Sequence, residues 1–162
     1  LCGSEIEVAE VENRENCLKK MKKKITGYDY VFIDYPPALG LLTINGLVAA
    51  DSVIVPLQCE FFALEGLSAL TSTIESIKQN FNPRLEIEGV VLTMHDKRNT
   101  LSDLVEKDVR NYFKKKVYKT IIPRNVRISE APSHGKPVLI YDTSCVGSKA
   151  YIELAKEVIL NQ

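Results

Sequence analysis

An α/β fold, with a mostly parallel sheet flanked by helices in three layers, is predicted by three observations. Short runs such as Val31-Phe32-Ile33, Val53-Ile54-Val55 and Val90-Val91-Leu92 are apolar at consecutive positions, as strands covered on both faces are. Between them lie longer stretches whose apolar residues recur at helical spacing, giving the alternation that builds parallel sheets. The run Tyr30-Val31-Phe32-Ile33-Asp34-Tyr35-Pro36-Pro37 ends in a lone carboxylate and two prolines. Open α/β sheets bind ligands beyond the carboxyl ends of their strands, so Asp34 stands where a ligand is expected.

The elements follow in order. Arg14 to Thr26 is expected as a helix, with Cys17, Leu18, Met21 and Ile25 on one side and Lys19, Lys20, Lys22, Lys23 and Lys24 forming a solvated face; Gly27 closes it. Tyr28 to Asp34 is the first predicted strand, Gly40 to Ala50 a short apolar helix, and Ser52 to Leu57 the second strand. Phe61 to Gln79 reads as a long helix through Leu64, Leu67, Thr71, Ile74 and Ile77, ended by Asn82-Pro83. Ile87 to Met94 is the third strand. Thr100 and Asp103 have the spacing of a capping box, opening a helix whose apolar face is Leu101, Leu104, Val105, Val109, Tyr112 and Phe113. Val117 to Ile122 is the fourth strand, Pro137 to Tyr141 a short strand, and a last helix starts near Gly147 with Tyr151, Leu154, Ala155, Val158 and Ile159 on its buried side. Without a repeat, a low-complexity stretch or a linker, residues 1–162 are expected to form a single domain.

Composition excludes several classes. The 21 basic and 21 acidic residues balance, so no global charge draws the chain to nucleic acid or anionic membrane, and any such contact needs a local patch. Cys2, Cys17, Cys59 and Cys145 are scattered without zinc or redox spacing, which suits free thiols in a reducing, cytoplasmic compartment. No apolar run reaches the roughly 18 residues that span a bilayer, and no membrane partner is expected. The first residue is Leu1 rather than Met, so the chain is expected to begin inside a longer reading frame.

Several segments together resemble the ParA/Soj chromosome-partitioning ATPases. They are Val31 to Pro37, Leu39-Gly40-Leu41-Leu42-Thr43-Ile44-Asn45, Ala49 to Pro56, Gln58-Cys59-Glu60 running into Ala63-Leu64-Glu65-Gly66-Leu67, Glu88 to Met94, Pro123 to Pro137 and Ala150 to Ala155. The resemblance runs from about Tyr28 to the end, while residues 1–27 match less distinctively. It implies a deviant P-loop NTPase fold, ATP and Mg2+ as cofactors, a homodimer with ATP sandwiched between subunits, non-specific DNA binding, a ParB-like centromere-binding partner, and a cytoplasmic, nucleoid-associated location in plasmid or chromosome segregation. Carried onto this sequence, Asp34 would orient water on Mg2+, the segment from Pro36 to Leu39 would be a switch, and Met94, Pro123 and Asn125 would border the base. Arg98 and Arg127 match positions that contact DNA phosphates, where bidentate guanidinium donors give salt-sensitive, sequence-tolerant affinity. Lys114, Lys115 and Lys116 are expected to compensate a helix dipole.

One departure bears on chemistry. Enzymes of this fold cradle phosphates with a glycine-rich loop opening a helix and a lysine that neutralises the oxygens. The only Gly-Lys pair is Gly135-Lys136, with Glu130 at the first loop-glycine position and Pro137 where Ser or Thr is required. The family keeps the loop upstream of where this sequence starts, so the phosphate-binding segment is expected to be missing, no catalytic residue is assigned, and neither tight ATP binding nor ATP hydrolysis is expected from the chain alone. The fold is then incomplete, with exposed edges. Two readings stay open: the C-terminal part of a partitioning ATPase, or a non-enzymatic DNA- or partner-binding remnant of a truncated gene. His95 and His134 lack metal-ligand spacing and are expected in loop or hydrogen-bonding roles.

Overall fold

The structure is a computed structural model, and it describes residues 13–35 and 40–160. They divide into two units, drawn from Leu1–Val53 with Ala69–Glu86 and from Ile54–Ser68 with Ile87–Gln162.

In the first unit a 3-10 turn at Arg14–Asn16 leads into α1 (Cys17–Lys22), followed by α2 (Leu41–Ala49). Asn45, buried in α2, joins the two helices: its Nδ2 donates to the carbonyls of Arg14 (2.9 Å) and Leu41 (3.0 Å), and its Oδ1 accepts from the Leu18 amide at 3.2 Å. A buried amide used on both sides in this way fixes one packing arrangement. Asn82 donates to the carbonyls of Leu47 and Ala50 at 3.1 and 2.8 Å, satisfying acceptors that the end of α2 leaves open. The first helix is shorter than predicted, and Met21 and Ile25 of its expected apolar side are exposed. Five lysines within six residues repel one another at helical spacing, and Gly27 takes a left-handed φ of 83°.

The strand predicted at Tyr28 to Asp34 does not form: residues 28–35 have no ladder. The segment is held instead by alternate side chains, with Ile33 and Tyr35 against Gly46, where an added Cβ would lie 3.0 Å from the Tyr35 ring. Phe32, between them, is 80% exposed. Apolar and β-branched content supplies strand propensity, but a strand exists only through hydrogen bonds to a neighbour.

The sheet has the order β1-β2-β3, formed by β1 (Ser52–Gln58), β2 (Glu86–His95) and β3 (Val117–Pro123), with α3 (Ala63–Asn80) between β1 and β2 in sequence. β2 and β3 are parallel, pairing Val90 with Val117, Leu92 with Ile121 and His95 with Pro123, with an irregularity in each interval. In the second unit α4 (Thr100–Phe113) precedes β3, and α5 (Val126–Glu130), α6 (Val138–Tyr141) and α7 (Val146–Leu160) follow it. Val91, Tyr118 and Ile122 form a core with Ile54, Ile128, Ala150, Leu154 and Val158. Gly89 leaves room for the Tyr118 ring, since a Cβ there would come within 2.3 Å of it. Glu157 of α7 accepts from the Lys119 and Thr120 amides of β3 at 2.7 and 2.9 Å. A carboxylate thus satisfies two backbone donors in the stretch of β3 where the pairing with β2 is irregular.

Further expectations are corrected. Pro137 to Tyr141 is not a strand but the turn of helix α6 begun by Pro137. The cap of α4 is Asn99, whose Oδ1 accepts from the Leu101 amide at 3.0 Å, rather than a Thr100–Asp103 box. Leu64, Leu104, Tyr112 and Ile159, expected on buried faces, are exposed. Helical spacing marks an apolar side, but docking selects which stripe of it is covered.

Candidate functional site

The carboxyl ends of β2 and β3 meet through the His95–Pro123 pairing and through the Arg124 amide, which donates to the His95 carbonyl at 2.9 Å. Met94 lies in the last irregularity of β2 with a left-handed φ of 54°. For a long L side chain that conformation costs on the order of 1–2 kcal/mol, and such strain concentrates where side chains are re-aimed at ligands. Just past β3, Asn125 caps α5 by accepting from the Arg127 amide at 2.9 Å. Met94, Pro123 and Asn125 are each half-buried and lie at or just past the carboxyl ends of β2 and β3, which is where open α/β sheets bind ligands. Asp34 belongs to the first unit, exposed beside the anchored Tyr35, whose phenol burial pushes up. Pro36 and the rest of the expected switch lie outside the described residues.

Both sequence-assigned arginines carry acidic partners. Arg98, 89% exposed, holds Asp96 in a two-pronged contact, Nε to Oδ1 at 3.0 Å and Nη2 to Oδ2 at 2.8 Å. Those hydrogen bonds hold the Asp96 carboxyl well below the usual carboxylate range and raise Arg98. Arg127 reaches Glu130 at 2.9 Å and Asp142 at 3.5 Å. Exposed pairs of this kind are worth little in water, so an incoming phosphate can displace them at small cost. In the first unit Lys19, Lys22, Lys23 and Arg84 line a cleft of about 400 Å3 together with Asp51, which Lys22 contacts at 2.5 Å. Lys20, Lys23 and Lys24 are exposed, as a solvated face requires, while Lys19 and Lys22 are half-buried.

Gly135-Lys136 is not a phosphate loop. Gly135, at φ 61°, closes the 3-10 turn Ala131–His134 rather than opening a helix. His134 stacks on Tyr141 with ring centroids 4.9 Å apart. Cys17, Cys59 and Cys145 are free, and burial, with Glu106 nearby, pushes the Cys59 thiol up to about 11.

Sequence reasoning missed one cluster. His95 closes β2 with its side chain buried, and its Nε2 lies 3.2 Å from Glu106 Oε2 and 3.5 Å from Asp103 Oδ1. The two acids are one helical turn apart on α4, a signal that the sequence carries, but their convergence on a strand-end histidine is a tertiary fact.

Comparison with known proteins agrees with the α/β architecture. Residues 1–87 match the model of a family described as AAA domain. The chromosome partitioning protein ParA of Caulobacter vibrioides (strain NA1000 / CB15N) is 58% identical over 162 residues, covering 98% of this chain and 61% of that protein. The sporulation initiation inhibitor protein Soj of Bacillus subtilis (strain 168) is 53% identical, covering 99% of this chain and 64% of the relative. The chain thus spans about three fifths of the length of the curated relatives it matches. A crystal structure of cobyrinic acid a,c-diamide synthase from Mycobacterium smegmatis superposes with a TM-score of 0.77 at 36% identity, over 96% of this chain and 57% of that one. The same enzyme has been solved with a bound ATP analog and magnesium, with a TM-score of 0.69 at 41% identity over 77% of this chain and 52% of that one.

Proposed function

Because the chain belongs to this AAA-domain family and, within it, to the ParA/Soj chromosome-partitioning proteins, we propose that it contributes the magnesium-side and base-side parts of an ATP site to DNA segregation. The observation that supports this reading is the position of Met94, Pro123 and Asn125 at or just past the carboxyl ends of two parallel strands. There the thioether and the proline ring offer apolar contact to the faces of a purine, and the Asn125 amide adds a polar group at its rim. Asp34 carries an exposed carboxylate suited to ordering water around Mg2+. A bound Mg–ATP would supply the phosphoryl group and the switch between DNA-bound and released states. Pro36 would lie in the segment that responds.

This chain alone does not turn over ATP. Its 162 residues contain no glycine-rich phosphate loop, and one carboxylate cannot replace the donors that stabilise the transferring phosphoryl group. The exposed guanidinium groups of Arg98 and Arg127 exchange their half-buried acidic partners for DNA phosphates without reading sequence. A homodimer, a ParB-like partner and a nucleoid-associated cytoplasmic location complete the proposal.

Anisotropy with two unrelated duplexes tests it. Equal binding at low salt that weakens about 10-fold or more on Arg98→Ala with Arg127→Ala, and falls steeply with added salt, is expected. Unchanged binding by the double variant sinks the DNA assignment. A second reading, a DNA- or partner-binding protein without nucleotide chemistry, is favoured by the conformation of Gly135. Absence of any fluorescent-ATP binding by the chain, with DNA binding intact, selects it; ATP turnover by the chain alone overturns both readings.

A further inference from the structure

We propose that His95, Asp103 and Glu106 form a divalent-cation site of the zinc type, which clamps the end of β2 to the first turns of α4. The three donor atoms lie within 4.8 Å of one another. His95 is only 6% exposed, yet its Nε2 makes no hydrogen bond among the described residues, although two carboxylate oxygens stand close by. A buried ring nitrogen without a partner is unfavourable, so this arrangement calls for something between the three groups. The spacing suits a metal: two bonds of about 2.1 Å at a tetrahedral angle separate their donor atoms by about 3.4 Å. Here Nε2 lies 3.2 Å from Glu106 Oε2 and 3.5 Å from Asp103 Oδ1.

Charge agrees with a dication. Arg110 binds the other oxygen of Glu106, Oε1, at 2.7 Å, which orients the carboxylate and leaves Oε2 turned to His95. Two carboxylates against one guanidinium leave the site negative. One imidazole nitrogen with two carboxylate oxygens suits zinc or a neighbouring first-row ion better than Mg2+, which prefers oxygen ligands and retains its water. Three protein donors leave a position for water, and Asp103, 64% exposed, gives the ion its way in. The clamp encloses residues 96–99, so it steadies the loop that carries Arg98. Nothing in it depends on nucleotide.

The test uses the purified chain, stripped with chelator and kept reduced with a phosphine, titrated calorimetrically with ZnCl2 and separately with MgCl2. One equivalent of zinc with far weaker magnesium uptake is expected. Removal even of a residue that only hydrogen-bonds a metal ligand costs about 10–100-fold, so Asp103→Asn, at an exposed position, should weaken zinc at least about 10-fold with unchanged circular dichroism, and His95→Gln should abolish uptake. Because the cysteines could also take zinc, Co2+ is the spectroscopic check: weak visible bands without intense thiolate charge transfer support the site. A thiolate spectrum, no uptake up to about 1 mM zinc, or binding indifferent to Asp103→Asn overturns it, as does an imidazolium that stays protonated at Nε2 when zinc is added.

Discussion

Two apolar runs of similar composition meet opposite fates in this molecule. Val90 and Leu92 in β2 are 0% exposed, whereas Phe32, in the run from Tyr30 to Ile33, is 80% exposed. The first run has a parallel partner in β3, while the second has no ladder and holds on through Ile33 and Tyr35 against one helix glycine. Strand residues are thus interchangeable in what they offer, and the neighbouring strand decides what they become.

Leu92→Ala should break the contrast most visibly, destabilising by about 2–5 kcal/mol in urea titration, because a fully enclosed leucine leaves a cavity. Next come the two glycines that admit a tyrosine ring. Gly89→Ala drives a methyl into Tyr118 and should cost about 1–3 kcal/mol. Gly46→Ala, by contrast, meets Tyr35 at 3.0 Å but sits in α2, where alanine gains roughly 1 kcal/mol of helix propensity, so its net change should stay within about 1 kcal/mol. A costlier Gly46 variant would mean that the 28–35 segment is held as firmly as β2.

Glu157→Gln weakens the tie between α7 and β3. Burial pushes the Glu157 carboxyl up, but the amides of Lys119 and Thr120 more than offset this, so its folded pKa is lowered. The stabilisation is therefore fully present above the unfolded value of about 4.3 and is lost as pH falls through the lower folded value. The variant should lose about 1–3 kcal/mol at neutral pH and show a flatter acid limb in thermal melts across pH. Phe32→Ala should do least, under about 0.5 kcal/mol, since an exposed ring has little to lose. A loss above that at high protein concentration only would reveal a second copy covering the run.

Much of the fold was legible in the sequence. Helices at Leu41–Ala49, Ala63–Asn80, Thr100–Phe113 and Val146–Leu160 and strands at Ser52–Gln58, Glu86–His95 and Val117–Pro123 lie close to where periodicity and breakers predict them. Met94, Pro123 and Asn125 were singled out through resemblance alone, and the pairing of His95 with Pro123 puts them at or just past the carboxyl ends of two adjacent strands. The partners of Arg98 and Arg127 were less so, because an ion pair depends on rotamers that spacing does not encode.

By itself, the sequence determined the family, the order of helices and strands, and the lack of a phosphate loop within these residues, since each is written in local pattern. Only the tertiary structure decided that Tyr28 to Asp34 goes without a ladder, that Glu157 accepts from two amides of β3, and that a histidine ending one strand faces two acids of the next helix. Each of those is a meeting of distant residues, and such meetings are fixed by packing rather than by the periodicity of any one segment.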